Sequence, residues 1–314
     1  MANNTIGWGQ GATNNEIGWG RGSSNDIGWG SVYDSSYVGD TDIVGGGGDT
    51  RFIIRIDTTQ AGSAADTFVL PWVGTYDVDW GDGISDVGLS GTQTHTYTSI
   101  GTYDVAVTAA SGRIFFNNTG DKAKLIDIKN WGSVAWDSMI DAFRSCSSLT
   151  AVSATDIPDF SAASFSCLRM FENCTFLNSI DVSGWDMSTT TLIASMFNQC
   201  YTLTSIDVSN WNTSLVSIAS NTFRSCFNLK ADFSGLDIAA VTAFTNFALS
   251  TNINETGTTT NYDNTLISWA AQAPTSGISI HFGNSKYTAG GAAEAARTSL
   301  QVTYGWTIVD GGPA

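Results

Sequence analysis

Hydrophobic patterning predicts a multidomain chain: a small all-β sandwich, then an α/β solenoid of short repeats, then a C-terminal cap. Three observations carry this expectation. Short alternating segments separated by glycine turns run through residues 49–112. Phe-x-x-Cys-x-x-Leu occurs four times within residues 122–250, with cysteine spacings of 28, 26 and 26. Residues 1–48 carry a glycine- and tryptophan-rich repeat, and residues 251–314 read as the covering end of the repeats.

The N-terminal segment is read as an arm. Ile-Gly-Trp-Gly stands at 6–9, 17–20 and 27–30, and thirteen of the first 48 residues are glycine. So few large side chains cannot close a core. Each copy instead offers one Ile and one Trp on a backbone that can approach a partner closely. Ile6, Trp8, Ile17, Trp19, Ile27 and Trp29 are therefore the candidate assembly anchors, acting together through effective concentration. A flexible tail with no partner is the plain alternative. Gly18-Trp19-Gly20-Arg21-Gly22 follows no strand and precedes no Gly-Lys-Ser/Thr, so it does not read as a phosphate loop.

Strands are predicted at Phe52–Ile56, Phe68–Trp72, Tyr76–Trp80, His95–Tyr97 and Tyr103–Val107. Tyr76, Val78 and Trp80 alternate and so share a face, and Gly81-Asp82-Gly83 closes that strand as a turn. Asp79 and Asp82 read as turn-closing aspartates rather than calcium ligands, because Ca²⁺ needs more oxygens than two side chains supply. The tracts Asp79-Trp80-Gly81-Asp82-Gly83, His95-Thr96-Tyr97 and Gly101-Thr102-Tyr103-Asp104-Val105 together resemble the PKD-like β-sandwich family. That resemblance implies a non-catalytic spacer or binding module in which His95 is structural.

In the middle region the motifs are Phe143/Cys146/Leu149, Phe171/Cys174/Leu177, Phe197/Cys200/Leu203 and Phe223/Cys226/Leu229. Alternating segments recur beside them: Ile126-Asp127-Ile128, Ile180-Asp181-Val182, Ile206-Asp207-Val208 and Ala231-Asp232-Phe233. These predict short parallel strands, with a short helix around each Phe, as over Leu192–Phe197. The unit Met-Phe-x-x-Cys-x-x-Leu-x-x-Ile-Asp-Val-Ser-x-Trp, clearest from Met170 and from Met196, resembles the BspA-like leucine-rich-repeat family. The resemblance implies a non-enzymatic surface or adhesion protein, and some family members occur on bacteriophage particles. Trp131, Trp185 and Trp211 follow the strand segments at a fixed offset and form a candidate ligand-binding row; the competing reading makes them ordinary core.

The cap is expected to hold a helix from Tyr262, a strand at Ile278–Phe282, a helix over Ala292–Leu300 and a closing strand near Ile308. The five cysteines, an odd number periodically spaced, read as buried wall residues rather than a disulfide framework or a metal site.

Lys plus Arg number 13 against 29 Asp plus Glu, for a net charge of −16. That balance argues against nucleic-acid partners and anionic membrane surfaces. No stretch is apolar enough for membrane insertion, and the N-terminus lacks the pattern of a secretory signal. No G-x-S-x-G elbow occurs, and the repeating aspartates suggest turn bonding rather than one catalytic carboxylate pair, so no catalytic residue, metal site or cofactor is assigned. The expectation is a non-enzymatic virion structural protein of a bacteriophage, a tail or head fibre or decoration present in multiple copies, assembled in the host cytoplasm. The arm also resembles repetitive N-termini of phage structural proteins. Its partners would be other virion proteins, through residues 1–48, and a host surface glycan or protein as receptor. The alternative is a bacterial cell-surface adhesin on the extracellular face.

Overall fold

A computed structural model describes residues 48–314, and the arm anchors Ile6, Trp8, Ile17, Trp19, Ile27 and Trp29 lie outside the described residues. Residues 46–314 form one compact unit. Eight strands come first: β1 (Phe52–Asp57), β2 (Thr67–Leu70), β3 (Trp72–Val73), β4 (Thr75–Asp79), β5 (Ser85–Ser90), β6 (Gln93–Thr96), β7 (Thr102–Thr108) and β8 (Ser111–Ile114). Six more follow: β9 (Leu125–Asn130), β10 (Ala135–Trp136), β11 (Ala151–Val152), β12 (Phe165–Ser166), β13 (Ser179–Ile180) and β14 (Thr190–Leu192). The C-terminal part holds α1 (Thr260–Ala271), β15 (Ser279–His281), α2 (Ala292–Val302) and β16 (Thr307–Val309).

The largest sheet has the order β13-β11-β9-β1-β7-β4-β5. It is antiparallel from β5 to β9 and parallel from β9 to β13. This corrects the expected sandwich followed by a solenoid. A single mixed sheet passes from the N-terminal strands into the repeat region, with Ile54 paired to Ile128 and Arg55 to Asp127 across β1 and β9. The cause lies in β1, where Phe52, Ile54 and Ile56 are all fully buried. Phe52 lies 4.9 Å edge-on from Trp136 and 6.3 Å from Trp131, so the apolar area of β1 is covered by residues from beyond β8. Burial of that kind stabilises by about 1.5–3 kcal/mol per large side chain.

The expected helices around each Phe are absent. Between β9 and α1 the described chain contains turns and short strands but no α-helix. The backbone explains why. Ser195 and Gln199 both have positive φ, as do Arg169 and Asn173, and Asn221 and Ser225. A left-handed residue every fourth position ends any right-handed helix. Amides at alternate positions then reach the following turn: Ser195 donates to Ser220 O, Phe197 to Thr222 O and Gln199 to Arg224 O, at 2.8–2.9 Å. The amides between them close tight local turns, as from Met196 to Ile193 O and Cys200 to Phe197 O. An α/β leucine-rich-repeat solenoid is thus not the architecture of this chain. The region is irregular, joined layer to layer by short parallel pairings and backbone bonds.

Its interior is a column of rings. Phe143, Phe171, Phe197 and Phe223 are fully buried and stack in sequence at 5.2, 5.6 and 5.7 Å, within 14° of parallel. Each such pair adds roughly 0.5–1.5 kcal/mol beyond its burial. The far end is covered by α1, whose Trp269 stacks on Phe244 at 5.1 Å and donates its indole N–H to Phe233 O. Strands β15 and β16 pair in parallel behind it, and Ala248 N donates to His281 O.

Candidate functional site

Trp131, Trp185 and Trp211 are only 1–3% exposed. The candidate ligand-binding row is therefore corrected to core. Trp131 and Trp185 meet edge to face at 5.6 Å, and the Trp211 indole N–H donates to Val182 O at 2.9 Å. An indole placed after each strand segment seals the turn with its large ring, and at Trp211 the single donor also finds a partner inside.

His95 is also fastened inward. Its Nε2 lies 2.8 Å from Asp82 Oδ2, its ring stacks on Trp80 at 4.7 Å, and Tyr97 meets it edge-on. Asp79 Oδ1 accepts Gly81 N and Asp82 Oδ1 accepts Ile84 N, which closes the two turns. Gly81 is required there: its φ is +83°, and a Cβ would sit 2.4 Å from Asp104 O. His281 accepts the Gly283 amide at Nδ1, and partial burial holds its pKa below the usual imidazole range.

Sequence reasoning did not single out Asp121 and Lys124, both fully buried with ammonium and carboxylate 3.7 Å apart. The Lys124 ammonium donates to Ala64 O and Thr67 O and to the Ser63 hydroxyl, while Asp121 accepts Ser63 N, Ser63 Oγ and Val69 N. Nothing in a lysine three residues after an aspartate announces such a cage.

The described concave feature is a shallow groove of about 460 Å³ on the strand side of the repeats. Val152, Ile180 and Ile206 form its floor, and Asp181 and Asp207 stand on its rim. It lies where layer-to-layer pairing weakens. β11 and β13 pair Val152 with Ile180, and Ser205 bridges to Lys230, but among the described residues no bridge joins Ser179–Asp181 to Ser205–Asp207. Each rim carboxylate is fixed by the serine two residues on: Ser183 N donates to Asp181 Oδ1 and Ser209 N to Asp207 Oδ1, both at 3.0 Å. These bonds stabilise the charged form and hold both carboxyls below the usual range, against a mutual repulsion that Asp181 feels from Asp207. The repeated Ile-Asp-Val-Ser tract was a legible signal for these bonds; the groove between the copies was not.

Residues 137–262 match the family model described as "Mycoplasma protein of unknown function, DUF285". No curated protein and no solved structure matches the chain. The resemblance to the BspA-like leucine-rich-repeat family is corrected accordingly, since the matching family model is a different one and the turn geometry excludes alternating helix and strand. The PKD-like, phage-particle, adhesion and receptor-binding identities likewise find no relative to support them. None of the described helices is long and apolar enough to cross a membrane.

Proposed function

We propose that the chain is a non-catalytic structural protein, a rigid body joined to a larger assembly through the Ile-Gly-Trp-Gly copies of its arm. The supporting observation is where its reactive side chains are committed. Aspartates that recur along the repeats close turns with the serine two residues on, as Asp181 does with Ser183, Asp207 with Ser209 and Asp232 with Ser234. The five cysteines are all buried, and the two histidines bond Asp82 and the Gly283 amide. Groups held in this way build shape rather than react, and three equal tryptophan anchors ahead of such a body suit attachment.

The test uses the full chain, tagged and produced in its native cell, beside a Trp8→Ala/Trp19→Ala/Trp29→Ala variant. Sedimentation should place the native chain in a high-mass fraction and leave the variant, folded, in the light one. Equal sedimentation of the two would remove the arm from the assignment.

A further inference from the structure

The groove at Asp181 and Asp207 has features that a turn-closing role does not use. Each aspartate bonds its own serine, Asp181 through Oδ1 alone, and among the described residues no cation pairs with either carboxylate. The carboxylates stand above a floor of Ile180, Ile206 and Val152, side chains that are only 6–9% exposed and so form a firm apolar surface. The lysine at the next step of the ladder, bridged to Ser205, is directed elsewhere: the Lys230 ammonium donates to Asn252 O at 2.7 Å. Ser179 and Ser205 add backbone that is not bridged across the groove.

An apolar floor beneath two fixed, uncompensated negative charges matches one kind of side chain closely. Lysine and arginine carry a three- or four-carbon stem that covers apolar surface and a cationic head that stays at the wet edge. The chain's net charge of −16 would draw such a partner in and repel an acidic one. We propose that this groove docks an extended, Lys- or Arg-bearing segment of a protein partner, with the stem over Ile180 and Ile206 and the head between Asp181 and Asp207. The proposal rests on the structural-protein reading above and adds a second contact surface, independent of the arm.

The probe is a fluorescein-labelled decapeptide of alternating Lys and Thr, titrated with the full-length protein at low salt and followed by anisotropy. Saturable binding is expected, with roughly three- to fivefold lost per carboxylate removed and about tenfold lost in Asp181→Asn/Asp207→Asn. Asparagine keeps the Oδ1 acceptor, so the turns should survive. Asp66→Asn/Asp137→Asn removes the same charge from exposed positions elsewhere and should weaken binding less than about twofold. Equal losses in the two variants would reduce the effect to overall charge and overturn the groove. So would absence of saturable binding, or binding that an uncharged oligosaccharide displaces. Should the groove variant misfold, carbodiimide cross-linking of the peptide to the unmodified protein decides the matter: cross-links must map to Asp181 or Asp207. Failure here leaves the arm result intact, and failure of the arm leaves the groove result intact.

Discussion

Cys200 Sγ lies 3.2 Å from the carbonyl oxygen of Phe171, one layer back, and donates its proton to it. Cys174 does the same to Phe143 O at 3.1 Å and Cys226 to Phe197 O at 3.1 Å. In the last layer a hydroxyl takes over, with Thr251 Oγ1 donating to Phe223 O at 2.8 Å. Cys174, Cys200 and Cys226 are thus small apolar donors that tie successive turns together, which gives their 26-residue spacing a structural reason.

This geometry sets the cost of a hydroxyl at these positions. A serine at 200 loses volume but finds the Phe171 carbonyl as its acceptor, whereas alanine loses both volume and donor. Cys200→Ser should cost about 1 kcal/mol and Cys200→Ala about 2 kcal/mol in urea unfolding. The reverse order would show that the thiol bond contributes nothing.

Complete burial raises the pKa of each of these thiols, that of Cys226 to about 12. Thiolate is the reactive form, so iodoacetamide at pH 8 should leave all five cysteines unmodified in the native protein and alkylate all five in urea. The linkage has a definite sign. A folded-state pKa raised above a thiol's ordinary 9.0 contributes stability that is complete below pH 9 and is lost as pH rises toward 12. Buried Tyr97 and Tyr262, also raised by desolvation, act in the same direction. The urea midpoint should therefore fall steeply between pH 9 and 12, and a flat profile would contradict the burial.

The left-handed turns can be tested at Gln199, whose φ is +64° and whose side chain makes no hydrogen bond among the described contacts. Gln199→Gly should be neutral or stabilise by up to about 1 kcal/mol, while Gln199→Val should cost about 1–2 kcal/mol. A helix at this site would show the opposite ranking, since glycine is the poorer helix former. Thermal unfolding of the two variants distinguishes the cases.

The buried pair of Lys124 and Asp121 should be the most sensitive polar site in the N-terminal part. Asp121→Ala strands the Lys124 ammonium at zero exposure and unties the Ser63 and Val69 amides. The expected loss is about 3–5 kcal/mol, read from denaturant midpoints, with residues 58–67 gaining hydrogen-exchange rate first. A loss below about 1 kcal/mol would mean that the pair is solvated in solution.

Local chemistry was legible in the amino-acid sequence by itself. Alternation placed Tyr76, Val78 and Trp80 on one buried face, and the apolar spacing of the cap announced α1, α2 and β15. The aspartates of the Ile-Asp-Val tracts could be read as turn formers because their serine partners stand two residues away. What tertiary structure alone decided was how those pieces face one another. Phe-x-x-Cys spacing fits a helix, yet the same three-residue step arises when left-handed residues such as Ser195 and Gln199 direct alternate amides to the next layer. The recurring Ser and Asn at those positions were the available hint. The covering of β1 by Trp131 and Trp136, the caging of Lys124 beside Ser63 and the groove between Asp181 and Asp207 join residues 26 to 84 positions apart. Such contacts follow from the packing of whole layers, and packing is a property of facing surfaces that no single segment carries.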